Sequence, residues 1–211
     1  MDERVRAAMA RWPNVPDIFG WLSLTQSGQW RLHPAGDAHQ AGPDGKYPPG
    51  ESISNPQILG FINRNYTHDS LGRWYFQNGP QRVFVRIDEA PLLLRTVDDG
   101  LTLQAHTGAP VNDIDRWVLD DTGHLYASTR LGPGLVAGRD LIATLEGMKT
   151  IDGHPIDFEA IMARAPSEQT PIKVTDAFHP AGKAPVELEF CPAAQIEASL
   201  GFVRNPALGY A

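Results

Sequence analysis

Between residues 73 and 87 apolar and polar side chains alternate with a period of two on either side of Gln77-Asn78-Gly79-Pro80. That is the pattern of two half-buried antiparallel strands joined by a tight turn. Asn78 and Gly79 both tolerate the positive φ of a type I′ turn, and counting outward from them pairs Phe76 with Gln81, Tyr75 with Arg82 and Trp74 with Val83. One face then carries Trp74, Phe76, Val83, Val85 and Ile87, a core face. The opposite face interleaves Arg73, Arg82 and Arg86 with Tyr75 and Phe84.

The same reading extends to the rest of the chain. Asn55-Pro56 is an N-cap followed by Pro at the first helical position, and Ile58, Leu59, Phe61 and Ile62 give the helix an apolar stripe that ends near residues 63–66. A short helix is expected over residues 2–12, with Val5, Ala8, Met9 and Trp12 along one side, and another over 138–148, with Leu141, Ile142 and Leu145 facing in. Strands are expected at 20–24, 29–32, 92–97, 101–105, 116–119 and 124–127, with a turn at Asp98-Asp99-Gly100 and an exposed loop over 34–51. Beyond residue 150 prolines, among them Pro155, Pro166, Pro171 and Pro180, separate short pieces: helices at 157–165 and 193–200, strands at 172–174 and 186–190. A turn glycine stands two residues before a large apolar side chain at Gly28, Gly72 and Gly123, a recurrence that either turn chemistry or an internal repeat produces.

These elements predict an α+β protein of antiparallel hairpins and a few short helices. Residues 1–88 form a first β-rich lobe and 89–150 a second, with the two open to being repeats, and 151–211 form a Pro-rich appendage packed on the core. At 211 residues the chain is long enough to fold without covalent staples. The single Cys191 excludes an internal disulfide, and no apolar run approaches a membrane span. The start, residues 1–11, is charged and unlike a secretory leader, so a cytoplasmic protein without membrane attachment is expected.

Charge changes the picture. The net charge is −7, which disfavours nucleic acid as a partner, yet residues 56–95 hold 5 basic and 3 acidic groups, every base an arginine. Two readings of the hairpin's arginine face stand side by side. It is a solvated outer face, or Arg73, Arg82 and Arg86 meet phosphate or carboxylate oxygens while Tyr75 or Phe84 stacks on a ring. The seven histidines lack metal-ligand spacing, Asn112-Asp113-Ile114-Asp115 starts no calcium loop, and there is no Walker loop, G-x-S-x-G or dinucleotide fingerprint. Neither a metal, a cofactor nor a catalytic set is therefore expected. Cys191 before Pro192 reads as a small buried residue.

The segments Asn55-Pro56-Gln57-Ile58, Gly72-Arg73-Trp74-Tyr75-Phe76 and Asp88-Glu89-Ala90-Pro91-Leu92 resemble, in this order, a proteobacterial family known only as a domain of unknown function. The resemblance covers roughly residues 20–148 and implies a duplicated β-rich core with a C-terminal half superficially like a pleckstrin-homology domain. It also implies a nucleotide-based ligand and a role in signal transduction. Gln81-Arg82 replaces an acid–base pair of that family, and the C-terminus lies outside its pattern. The function expected is non-catalytic sensing of an anionic, nucleotide-like small molecule; the alternative is a protein-interaction module using a sheet edge or the Pro-rich region.

Overall fold

The computed structural model describes residues 1–98, 100, 102–178 and 184–206. The expected turn residue Asp99, the strand residue Leu101, and His179 and Pro180 lie outside them. The chain divides into two compact units, Met1–Pro91 with Gly201–Ala211, and Leu92–Leu200. The fold is α+β, with 22% helix and 35% strand. Among the described residues no helix is long and apolar enough to cross a membrane.

The first unit contains helix α1 (Glu3–Arg11), strands β1 (Ile18–Leu24), β2 (Trp30–Leu32) and β3 (Glu51–Ser52), helix α2 (Pro56–Arg64), and strands β4 (Tyr66–His68), β5 (Trp74–Asn78) and β6 (Gln81–Ile87). Its sheet runs β3-β2-β1-β6-β5-β4. Two antiparallel three-strand meanders meet edge to edge where β1 pairs parallel with β6. The second unit contains β7 (Leu92–Val97), β8 (Thr102–Ala105), β9 (Pro110–Val111), β10 (Ile114–Asp120), β11 (Leu125–Thr129), β12 (Gly134–Val136), α3 (Gly138–Gly147), β13 (Lys149–Thr150), α4 (Phe158–Met162), β14 (Ile172–Thr175), β15 (Val186–Cys191) and α5 (Ile196–Leu200). Its sheet repeats the device: three meanders joined by the parallel pairs β10/β15 and β7/β12. The Pro-rich stretch read as an appendage supplies β14 and β15 to that sheet.

The central hairpin keeps its faces but not its expected turn. Asn78 pairs with Gln81, Gln77 with Arg82, Phe76 with Val83 and Tyr75 with Phe84. The turn is therefore centred on Gly79-Pro80, with Gly79 at φ 59°, as a type II′ turn requires. The reason is chemical. A turn centred on Asn78-Gly79 needs a closing N–H from residue 80, which proline lacks, whereas one centred on Gly79-Pro80 is closed by Gln81. The slip displaces one residue on each strand, so side-chain parity survives, and Trp74, Phe76, Val83, Val85 and Ile87 are all buried.

The recurrent glycine turn is a hairpin geometry. Around Gly28, Gly72 and Gly123 the residue three positions earlier accepts from the glycine N–H and donates its own N–H to the residue after the glycine, at 2.9–3.1 Å. The same bonds occur around Gly108 and Gly153, where Pro110 and Pro155 stand in the place of the large apolar residue. A type I turn followed by a residue at positive φ explains the recurrence.

Two inward-facing assignments fail. In α3 Ile142 is 69% exposed while Thr144 is buried, and in α1 Trp12 is half exposed while Val5 is buried. The rest of each stripe holds: Val5, Ala8 and Met9 in α1 and Leu141 and Leu145 in α3 are buried or half-buried, while Trp12 stands at the C-cap, past the last helical residue, and Thr144 rather than Ile142 completes the narrow contact stripe of α3.

The last described residues, 201–206, return to the first unit. Val203 bridges to Arg73, the Ile87 N–H donates to the Arg204 carbonyl at 2.7 Å, and Arg204 reaches the Glu89 carboxylate at 2.6 Å.

Candidate functional site

The five residues of the arginine–aromatic face are brought together on one side of β5 and β6. There they are consumed by one another and by what covers them. Phe84 is fully buried and stacks on Phe19 at 4.7 Å with the rings 4° apart. The Arg73 guanidinium lies 4.8 Å over the Phe84 ring and pairs with Asp69 at 2.7 Å. Burial pushes the Asp69 carboxyl up, but hydrogen bonds from Arg73 and the Leu71 N–H outweigh it and hold it below the usual carboxylate range. Arg82 sits 5.1 Å over Tyr75, which is buried. Burial raises the Tyr75 phenol, against the pull of Arg82. Arg86 is buried, pairs with Asp88, and lies 4.7 Å beneath the Tyr47 ring. Tyr75, Phe84 and Arg86 are buried, so the rings of this face are covered, while Arg73 and Arg82 keep intermediate exposure.

Beside Arg86 is a polar cluster that spacing did not disclose. Ser23, opposite Arg86 in the β1/β6 register, lies 2.8 Å from His33 Nε2, and His33 Nδ1 lies 3.5 Å from Asp37. The order is that of a nucleophilic triad. Ser23 and His33 are each 1% exposed, however, so a carbonyl carbon has no approach to Ser23 Oγ. The pairs instead fasten the 34–50 loop to the strands. The Gly20 N–H donates to His39 Nδ1 at 2.7 Å, which leaves that imidazole's proton on Nε2. Burial, then Arg86 and His33, lower His39 to about 4, and burial and Arg86 also lower His33. In the second unit burial raises the Cys191 thiol, consistent with a structural residue.

The opposite face of the same sheet is open. Helix α2 packs on it through its C-terminal half: Ile62 is buried, Phe61 meets Phe76 edge-on at 5.5 Å, and the Trp30 indole donates to Asn63 at 2.8 Å. Its N-terminal half, capped by Asn55 accepting from the Gln57 and Ile58 N–H groups, borders a cavity of about 730 Å³. Leu22, Ile62, Phe76 and Val83 form buried parts of its wall. Trp21, Leu32 and Ile58 line it too, at 44%, 40% and 50% exposure. Polar groups come mainly from one stretch, Glu51, Ser52, Ser54, Asn55 and Gln57, with Asn78 from the hairpin.

The cavity follows from dimensions. Nine helical residues span about 14 Å at 1.5 Å each, whereas six strands about 4.8 Å apart present a face about 24 Å wide. The sequence signal was a surplus of apolar residues, Ile18, Trp21, Leu32, Ile53 and Ile58, over what one short helix can cover.

Residues 1–207 match the model of the family DUF2944, described as a protein of unknown function (DUF2946). The chain belongs to that family. No curated protein matches this DUF2944 member. Two solved structures are similar to it. A DUF1285 family protein from Silicibacter pomeroyi DSS-3 is 14% identical, with 87% of each chain covered and a TM-score of 0.49. A DUF1285 family protein from Shewanella baltica OS155 is 14% identical, with 59% of this chain and 89% of that one covered and a TM-score of 0.40. Membership of a family of unknown function, expected from residues 55–92, is met.

Proposed function

We propose that this protein is a non-catalytic ligand-binding protein, and that its ligand is a largely apolar small molecule seated between α2 and the six-stranded sheet. The observation that supports this is the cavity of about 730 Å³, within the range of small-molecule sites, lined by aliphatic and aromatic side chains with polar groups gathered mainly on one stretch. Exposed Trp21, Leu32 and Ile58 at its border form the kind of apolar patch that marks a binding surface. Glu51 is the one ionisable group among the lining residues, which favours retention over turnover. A sensing role follows if occupancy sets how α2 is held.

The anionic, nucleotide-like ligand loses support because each arginine expected to hold it is engaged by a ring or a carboxylate. Sheet-edge docking loses support at β3, which is two residues long and flanked by Pro48-Pro49 and Pro56. The test is a thermal-shift titration with 1-decanol. The melting temperature of the wild type should rise with concentration. The rise should be reduced in Val83→Phe, whose ring narrows the cavity at its wall, and in Ile58→Arg, which blocks its mouth from an exposed position. No rise in the wild type, or equal rises in all three proteins, overturns the reading.

A further inference from the structure

The register of the first unit's sheet places one charge on the cavity face in a fixed position. Val85 pairs with Leu22, Leu22 with Leu32, and Leu32 with Glu51. Residues directly opposite one another share a face, so Glu51 ends a row of three aliphatic side chains, about 10 Å from Leu22 at the spacing of neighbouring strands. Its neighbours in sequence along the cavity, Ser52, Ser54, Asn55 and Gln57, are uncharged. The Asn55 side-chain oxygen is already committed to capping α2. The lining residues include no Lys, Arg or His. The chain as a whole carries a net charge of −7.

Resting on the reading of the cavity as a ligand site, we propose that its ligand is a cationic amphiphile: an aliphatic body lying on the Val83 and Leu22 side, with an amine or quaternary ammonium head at Glu51. A carboxylate or phosphate head meets a repelling carboxylate there and no compensating cation. A neutral head meets hydrogen-bonding groups but gains nothing from charge. The Glu51 side chain is exposed, so its attraction is screened by solvent and is modest.

The test compares decyltrimethylammonium, 1-decanol and decanoate, which share chain length and differ in head charge. Each is titrated below its micelle concentration into the full chain at low ionic strength, with Trp emission as readout. Decyltrimethylammonium should bind roughly two- to fivefold more tightly than decanol, and decanoate more weakly than either, as a single exposed charge pair allows. Glu51→Gln should bring the three affinities together, and added salt should do the same in the wild type. If the three bind the wild type equally, or decanoate binds best, and Val83→Phe weakens the binding, the cavity reading stands and the cationic head is refuted. If the order is as expected but survives in Glu51→Gln, the assignment to Glu51 is wrong. If none of the three binds, both readings fall.

Discussion

On one face of the six-stranded sheet Phe84 lies sealed between Phe19 and the Arg73 guanidinium; on the other, Phe76 and Val83 look into a cavity wide enough for a small molecule. The two faces come from the same two strands, and the one that looked like a site is the closed one. Arginines beside aromatic rings are the vocabulary of recognition. The same vocabulary makes a self-contained stack when carboxylates and rings of the same unit stand within reach. Incomplete cover, rather than residue type, marks the open face.

Phe84→Ala should strike the closed face hardest, costing about 3–5 kcal/mol as a fully buried aromatic. Urea denaturation reads this directly, and a loss below about 1 kcal/mol would mean the ring is not packed as described. Arg73→Ala should cost about 2 kcal/mol, because it leaves Asp69 in a largely buried place without its guanidinium. Asp69→Asn should recover part of that loss in the Arg73→Ala background. Acidification tests the polar cluster beneath Tyr47. The His39 imidazole is held at about 4 in the folded protein and titrates near 6.5 when unfolded. Between those values the unfolded chain therefore binds more protons, and stability falls as pH drops from about 6.5 towards 4. The urea midpoint should decline over that window, less steeply in His39→Gln; His106, also at about 4, contributes a decline of the same sign from the second unit. Gly79→Val acts on both faces through their shared turn and should cost roughly 1 kcal/mol or more, since its φ of 59° disfavours a β-branched side chain. On the open face, Ile58→Ser should change stability by no more than about 0.5 kcal/mol, because half of that side chain is already in solvent. A large loss there would mean that α2 depends on Ile58 and the cavity is shallower than it looks.

What could be read from the sequence was local. Asn55 and Pro56 announced α2, and period-two alternation gave the faces of β5 and β6 even though the turn itself was misplaced by one residue; the missing N–H of Pro80 was the signal that decides it. Long-range pairing was not legible. Nothing in the strand patterns says that β1 joins β6 in parallel, since a parallel junction leaves no turn in the sequence to mark it. The fate of Arg73, Arg82 and Arg86 depends on Phe19, Asp69, Asp88 and a loop residue, Tyr47, and no spacing rule connects the more distant of these to the hairpin. The cavity was legible only as a mismatch between the length of α2 and the width of the sheet it covers, which requires the strand count first.

The return of residues 201–206 to the first unit sets an order of events during synthesis. The contiguous second unit, Leu92–Leu200, has its whole sequence before the first unit does. A chain still growing at residue 200 lacks Val203 beside Arg73, the Arg204 carbonyl that receives Ile87, and the guanidinium that pairs with Glu89. The unit that contains the cavity is thus begun first and finished last. A ribosome-stalled chain ending at 200 should bind decanol more weakly than the released protein, although every residue that lines the cavity has been made.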